Sequence, residues 1–313
     1  MTKPIENKLE KIPIINLLVR FGKTIKIPGL EGMSLYDVLE MYVLGIVKGA
    51  LTTRAGGIAF SFFMAIFPFL LFILTLIPYM PIEGFQEGLF SLIQEVLPPK
   101  TFDAVDGVLK DILNNQYGGL LSFGFLASIF LMTNGVNAIF GGFEYSYHVK
   151  EYRNIIRAYM ISLAVSLLMS LFLIITVVFV ILYQVALAKI DEKGWFNTSD
   201  LDLFYYGRGS LFLLMIFTIV SLLFRYGTKQ GKETRFFSPG AILTTVVSMF
   251  SFYLFGIYVV KFAKYNQLYG SIGTLLILML FVWLNAIILL LGFELNASIY
   301  RLKRKNKTSY FRD

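Results

Sequence analysis

Cysteine is absent from this 313-residue chain, and histidine occurs once. The first absence removes disulfides, thiolate metal sites and a cysteine nucleophile, and leaves the redox compartment unmarked. The second leaves His148 as the whole supply of imidazole. Charge is scarce too. Asp, Glu, Lys and Arg make up 15% of residues, against about a quarter in an average globular chain. No His/Asp/Glu metal spacing, GxSxG elbow or phosphate loop occurs. The expectation is a protein that is not an enzyme and takes no metal and no cofactor. Residues 1–32 mix Lys3, Glu6, Lys8, Glu10 and Lys11 with prolines and carry no apolar run leading into a small-residue cleavage site, so no cleavable signal peptide is expected.

What is abundant is apolar surface. Hydrophobic residues account for 57% of the chain and aromatics for 16%, with 26 glycines, and the mean hydropathy is +0.70. That is too much for a surface facing water. Aromatics suit bilayer interfaces, and glycines suit close helix contacts. A helix that crosses the hydrocarbon core needs about 20 mostly apolar residues. Six segments qualify, at about 55–79, 119–142, 157–187, 209–226, 238–261 and 271–299, the third and sixth long enough to tilt or to project beyond the bilayer. The fold class expected is an all-α polytopic membrane protein with six transmembrane helices plus interfacial amphipathic helices.

Orientation follows from the basic residues. Of the 28 Lys and Arg, 21 fall in the N-terminal segment, the second and fourth connections and the C-terminal tail, and 7 on the other side. The positive-inside rule then puts both termini in the cytoplasm of a bacterial inner membrane. The net charge of +8 reads as attraction to anionic headgroups at that basic face rather than to nucleic acid. The run Arg301-Leu302-Lys303-Arg304-Lys305 in the tail, residues 301–313, belongs to the same face.

Between the first two spans, residues 81–116 repeat apolar side chains near helical period on either side of Pro98 and Pro99, which predicts two short amphipathic helices with acidic faces. Before the first span, Ser34 and Asp37 form a capping-box pattern ahead of Leu35, Val38, Leu39, Tyr42 and Ile46. That predicts an interfacial helix turning into the first span at Gly56 and Gly57, with a second such helix within 12–26. The longest gap between spans, about 40 residues, is below the size of a free-standing domain. Residues 33–300 therefore read as one membrane domain preceded by a cytoplasmic segment, 1–32.

Polar groups inside the spans are where function is sought, since hydrocarbon offers them no water. The second span carries Asn134 and Asn137 and ends Gly142-Phe143-Glu144; the sixth carries Asn285 and ends Gly292-Phe293-Glu294. Both spans run in one direction, so the asparagines fall in the same half of the bilayer and the glutamates near its inner boundary. The asparagines read either as the lining of a pathway or as hydrogen-bond links between helices. The glutamates read as mouth residues or as partners of Arg153, Arg157 or the tail. Arg54, at the mouth of the first span, is a candidate headgroup ligand. Pro68 removes a backbone donor and is a candidate hinge beside Ser61. His148 reads as an interface side chain at a helix end, and Tyr258, Tyr265 and Tyr269 as interface anchors.

Taken together, Ala55-Gly56-Gly57-Ile58-Ala59-Phe60-Ser61 running into Phe67-Pro68, the block Asn134 to Glu144, and Tyr269-Gly270-Ser271-Ile272-Gly273 through Trp283 to Gly292-Phe293-Glu294-Leu295-Asn296-Ala297 resemble the YihY/virulence factor BrkB family over about residues 35–300. The resemblance implies a six-span inner-membrane protein and raises the expectation of lipid or amphiphile traffic. Members have also carried the name ribonuclease BN, for which this chain offers no catalytic constellation. Two functions are expected on these grounds: a transporter or translocase of a lipid, another amphiphile or a small solute through an interhelical cavity, or a scaffold that binds an envelope protein without transporting.

Overall fold

The computed structural model describes residues 23–24, 34–79, 84–96, 99–192, 201–233, 235–261 and 265–310. The helix expected within 12–26 lies outside them apart from residues 23–24.

The first described long helix, α1 (Leu35–Lys48), begins at the expected capping box. The Asp37 amide donates to Ser34 Oγ at 3.3 Å, and the Ser34 amide donates to the Asp37 carboxylate at 2.9 Å. Two of the donors left open at a helix start are satisfied this way. The helix stops at Gly49, and Ala50 adopts the left-handed conformation with φ 46° and ψ 50°. From there α2 (Leu51–Leu76) begins. The turn into the first span therefore falls at Gly49–Ala50, not at Gly56–Gly57. Those two glycines continue α2, in open space where an added Cβ would meet nothing within 4 Å. A glycine lowers helix stability without breaking the helix, whereas a left-handed residue reverses the backbone.

Two short amphipathic helices follow, α3 (Phe85–Val96) and α4 (Pro99–Asn114). Then come α5 (Gly118–Glu144), α6 (Ile155–Glu192), α7 (Leu201–Tyr226), α8 (Pro239–Lys261) and α9 (Tyr265–Tyr310). Among the described residues, six helices, α2 and α5 to α9, are long and apolar enough to cross a membrane. The basic run from Arg301 continues the last turns of α9. Pro68 sits within an unbroken α2, where it leaves the carbonyl one turn earlier without its helical donor.

The six long helices pack in chain order, α2 on α5, α5 on α6, α6 on α7, α7 on α8 and α8 on α9, and α9 returns to α2. They form a closed ring. Its main core lies at the end that carries the start of α2 and the ends of α5 and α7, where Ala55, Ile58, Ile139, Phe140, Phe224 and Leu290 are buried. A smaller core at the opposite end packs Phe85 and Leu89 of α3 against Ile77 and Ile181. There α3 also meets α4, through an edge-to-face contact of Phe90 and Phe102 at 5.2 Å. The outward faces are apolar. Phe123, Leu126, Phe130, Phe250 and Tyr253 are all more than half exposed, a surface suited to hydrocarbon and not to water.

Candidate functional site

The ring closes where α9 meets α2, and the side chains at that seam are ionic. Arg54, one turn into α2, donates from Nη2 to Glu294 Oε1 at 2.6 Å and from Nη1 to the Gly142 carbonyl near the end of α5 at 2.8 Å. The pair is buried, with side-chain exposures of 6% and 0%. The other carboxylate oxygen, Oε2, accepts from Ser146 Oγ at 2.8 Å. Arg54, expected at the mouth of the first span, is thus held by protein on two sides. One of its atoms, Nε, is buried without a partner.

α1 covers this pair through a glycine. A Cβ added at Gly45 would lie 2.6 Å from Glu294 Oε2 and 2.7 Å from His148 Nε2. Only a bare backbone fits over the carboxylate. His148, read from sequence as an interface side chain, is 4% exposed. Its Nδ1 lies 3.2 Å from Arg301 Nη1, and its Nε2 lies 2.9 Å from the Met41 carbonyl. A guanidinium can only donate, so Nδ1 accepts, and the proton sits on Nε2 and is donated to Met41. Burial first, and then the Arg301 charge, lower the His148 pKa below its ordinary value, against the pull of Glu294 and of the Met41 carbonyl. Burial and the Glu294 charge together raise the Tyr42 phenol.

Beside the ion pair stands a stack of aromatic rings. Phe143 of α5 and Phe293 of α9 lie face to face, with centroids 4.1 Å apart and an interplanar angle of 7°. Phe224 of α7 meets them edge-on at 5.6 and 6.1 Å. The two Gly-Phe-Glu sequences therefore meet through their phenylalanines, and their glutamates part. Glu294 is ion-paired inside. Glu144 faces the backbone amide and charge of Arg153, together with the charge of Lys229, and keeps Oε1 buried without a partner.

The asparagines do not bond to one another. Asn137 accepts a long hydrogen bond of 3.4 Å from Ser162 of α6. Asn285 donates to the Phe281 carbonyl of its own helix at 2.9 Å and leaves its buried Oδ1 unpartnered. Asn134 is half-buried one turn before Asn137. Ser221 of α7 and Thr244 of α8 each add a buried hydroxyl without a partner. Asn296, unlike these, is fully used. It accepts from the Gly240 amide at 2.8 Å and donates to Ser238 Oγ at 2.9 Å, fastening α9 to the start of α8. There the backbones of Gly240 and Gly292 touch so closely that a Cβ on either would collide with the other's carbonyl.

Among the described residues, one cavity borders the seam and another lies deeper among the spans. An open cleft of about 500 Å³ lies between Met41, His148, Lys150, Gln230, Arg301 and Arg304. A slot of about 300 Å³ lies among α2, α5 and α6, between Phe72, Phe125, Met132 and Ser166. The hydroxyls of Ser128 and Ser166 on the slot are satisfied within the bundle, Ser128 by the Phe125 carbonyl at 2.8 Å and Ser166 by the Leu163 carbonyl at 2.9 Å and by Thr133 Oγ1 of α5 at 3.1 Å, so its face is largely apolar.

Arg54, Glu294 and Glu144 were all legible as polar residues at span ends. Ser146, His148, Gly45 and Arg301 were not legible as their partners, since they come from a connection, a separate helix and a basic tail. The face of α1 that repeats Val38, Met41, Tyr42 and Gly45 was the one available signal.

The family model for virulence factor BrkB matches residues 45–311. Among curated proteins, the ribonuclease-like protein YfkH of Bacillus subtilis (strain 168) is 33% identical over 263 residues, 80% of this chain and 91% of that one. A UPF0761 membrane protein of Aliivibrio salmonicida is 25% identical over 263 residues, 81% of this chain and 80% of its own. Another, of Vibrio campbellii, is 26% identical over 255 residues, 79% and 76% of the two chains. No solved structure matches. With a family model that covers most of its length and six apolar helices closed into a ring, the chain belongs to the virulence factor BrkB family of multi-pass membrane proteins.

Proposed function

We propose that this protein is a transporter or translocase that moves a lipid, another amphiphile or a small solute through its helix ring, and that the Arg54–Glu294 pair with the Phe143, Phe224 and Phe293 stack forms its closed gate. The observation that carries this reading is the burial of that ion pair at the seam where the first and last helices of the ring meet. A buried pair adds little net stability over apolar side chains of the same volume. Its presence at a joint is accounted for if the joint opens. Unpartnered polar atoms on Ser221, Thr244 and Asn285, one on each of three consecutive helices, support the same reading. Each costs roughly 1–3 kcal/mol while it stays unpaired. A pathway would hydrate them when open. Asn134 and Asn137 would line the same route, Glu144 would stand at its mouth, and Pro68 would supply a hinge in α2.

The basic face is cytoplasmic in this reading, both termini are inside, and the partner there is anionic lipid. α1 supports the lipid contact, since Leu39, Val43 and Val47 form an exposed apolar stripe opposite the face that covers Glu294.

Reconstitution into vesicles tests the proposal. Lipids with a fluorescent acyl chain, and a panel of charged solutes, should cross faster than in protein-free vesicles. R54L/E294L should keep its fold and lose translocation. Wild type that is folded and moves nothing would overturn the reading in favour of a scaffold that binds an envelope partner. In that case N137L/N285L would leave cellular function intact. Purified protein should not cleave RNA.

A further inference from the structure

Arg54 is taken by Glu294 and Gly142, so the donors open to an anion at this end of the ring belong to another side chain. Arg301 projects from α9 into the 500 Å³ cleft. Its guanidinium lies 4.9 Å from the centre of the Tyr147 ring, and Nη1 is directed at His148 Nδ1 and the Tyr147 carbonyl at 3.2 and 3.4 Å. One nitrogen therefore makes all the protein hydrogen bonds of this side chain among the described residues. Nη2 and Nε form a fork already fixed in direction, the geometry that matches two oxygens of a phosphate.

The surroundings are cationic. Lys150 and Arg304 line the same cleft, and Lys48 Nζ lies over the Tyr147 ring at 5.2 Å. The acid on the cleft, Glu151, faces Arg304 at 3.9 Å across an exposed, water-screened gap. Glu294, beneath His148, is neutralised by Arg54. Among the described residues that line the cleft, three Lys and Arg side chains face one acid, an excess of positive charge on a concave surface that draws an anion.

We infer that the cleft between α1, the α5–α6 connection, the turn after α7 and α9 is a binding site for a phosphate-bearing anion, with the Arg301 fork as its ligand and Lys150 as its second cation. Phosphate on a lipid headgroup and phosphate in solution share this chemistry. The site stands outside the gate and does not depend on transport.

Thermal unfolding of the full chain in neutral detergent tests it. Inorganic phosphate, and separately dioleoyl phosphatidic acid, are titrated against sodium chloride of matched ionic strength, with native mass spectrometry counting bound lipid. One or both should raise the unfolding midpoint saturably. R301Q should weaken binding at least tenfold and K150Q about threefold, and K110Q, at the opposite end, should leave it unchanged. Phosphatidic acid acting at a tenth of the phosphate concentration or less and displacing it identifies the lipid headgroup. Phosphate binding that the lipid does not displace identifies a soluble ligand. Stabilisation by neither over chloride, or wild-type binding in both variants, would overturn the inference. If R301Q does not fold, K150Q, whose exposed side chain supports no packing, decides the matter.

Discussion

Arg54 and Glu294 make a difference measurement informative. Removing one partner strands a buried charge, so R54A should lower stability by about 3–5 kcal/mol, whereas R54L/E294L should come within about 1 kcal/mol of wild type or exceed it. Denaturant unfolding in detergent separates the two. His148 supplies a second test at this scale. The unfolded chain titrates near an ordinary value of about 6.5, and the folded imidazole, buried against Met41 and Arg301, titrates lower. Between those values the unfolded state binds more protons. Stability is therefore complete above about pH 6.5 and declines as pH falls toward the folded value. H148Q, which keeps a donor for Met41, should flatten that decline. From sequence alone this histidine was an interface residue, because nothing in Tyr145-Ser146-Tyr147-His148 records that a glycine of another helix lies over it.

At the scale of the element, the break between α1 and α2 depends on Ala50, the one non-glycine residue with positive φ among those described. A side chain in the left-handed region costs roughly 1 kcal/mol or more. A50G should recover about that much in an unfolding midpoint, with α1 still covering Glu294. At the other helix junction, α8 starts with Ser238 capping the Ala241 amide at 3.2 Å and Pro239 in the first turn, a pattern suited to a helix start. Its approach to α9 leaves no room at Gly240, and a carbonyl cannot yield as a flexible side chain can. G240A should cost about 1–3 kcal/mol or more and loosen the α8–α9 contact, detectable as faster proteolysis of that junction. The Ser34 capping box was legible because both partners lie within one turn. The Gly240–Gly292 contact was not, because its partners stand 52 positions apart and meet only after packing.

For the whole molecule, the absence of cysteine makes orientation directly measurable. Y152C lies at an exposed position in the α5–α6 connection, and N114C at one at the end of α4. With both termini inside, a membrane-impermeant maleimide should label N114C in intact cells and reach Y152C only after lysis. The reverse pattern would invert the orientation and place the basic cleft outside. Amino-acid order alone determined that the chain is helical, with six helices apolar and long enough to cross a membrane, and which connections carry the basic residues. Hydrocarbon selects apolar length and anionic lipid selects loop charge, and both preferences are summed along the chain. The tertiary structure decided that the helices close into a ring, that Arg54 meets Glu294, and that Phe143 stacks on Phe293 while the glutamates beside them part. Pairings across 240 positions depend on which faces of different helices touch, and local periodicity carries no record of that choice.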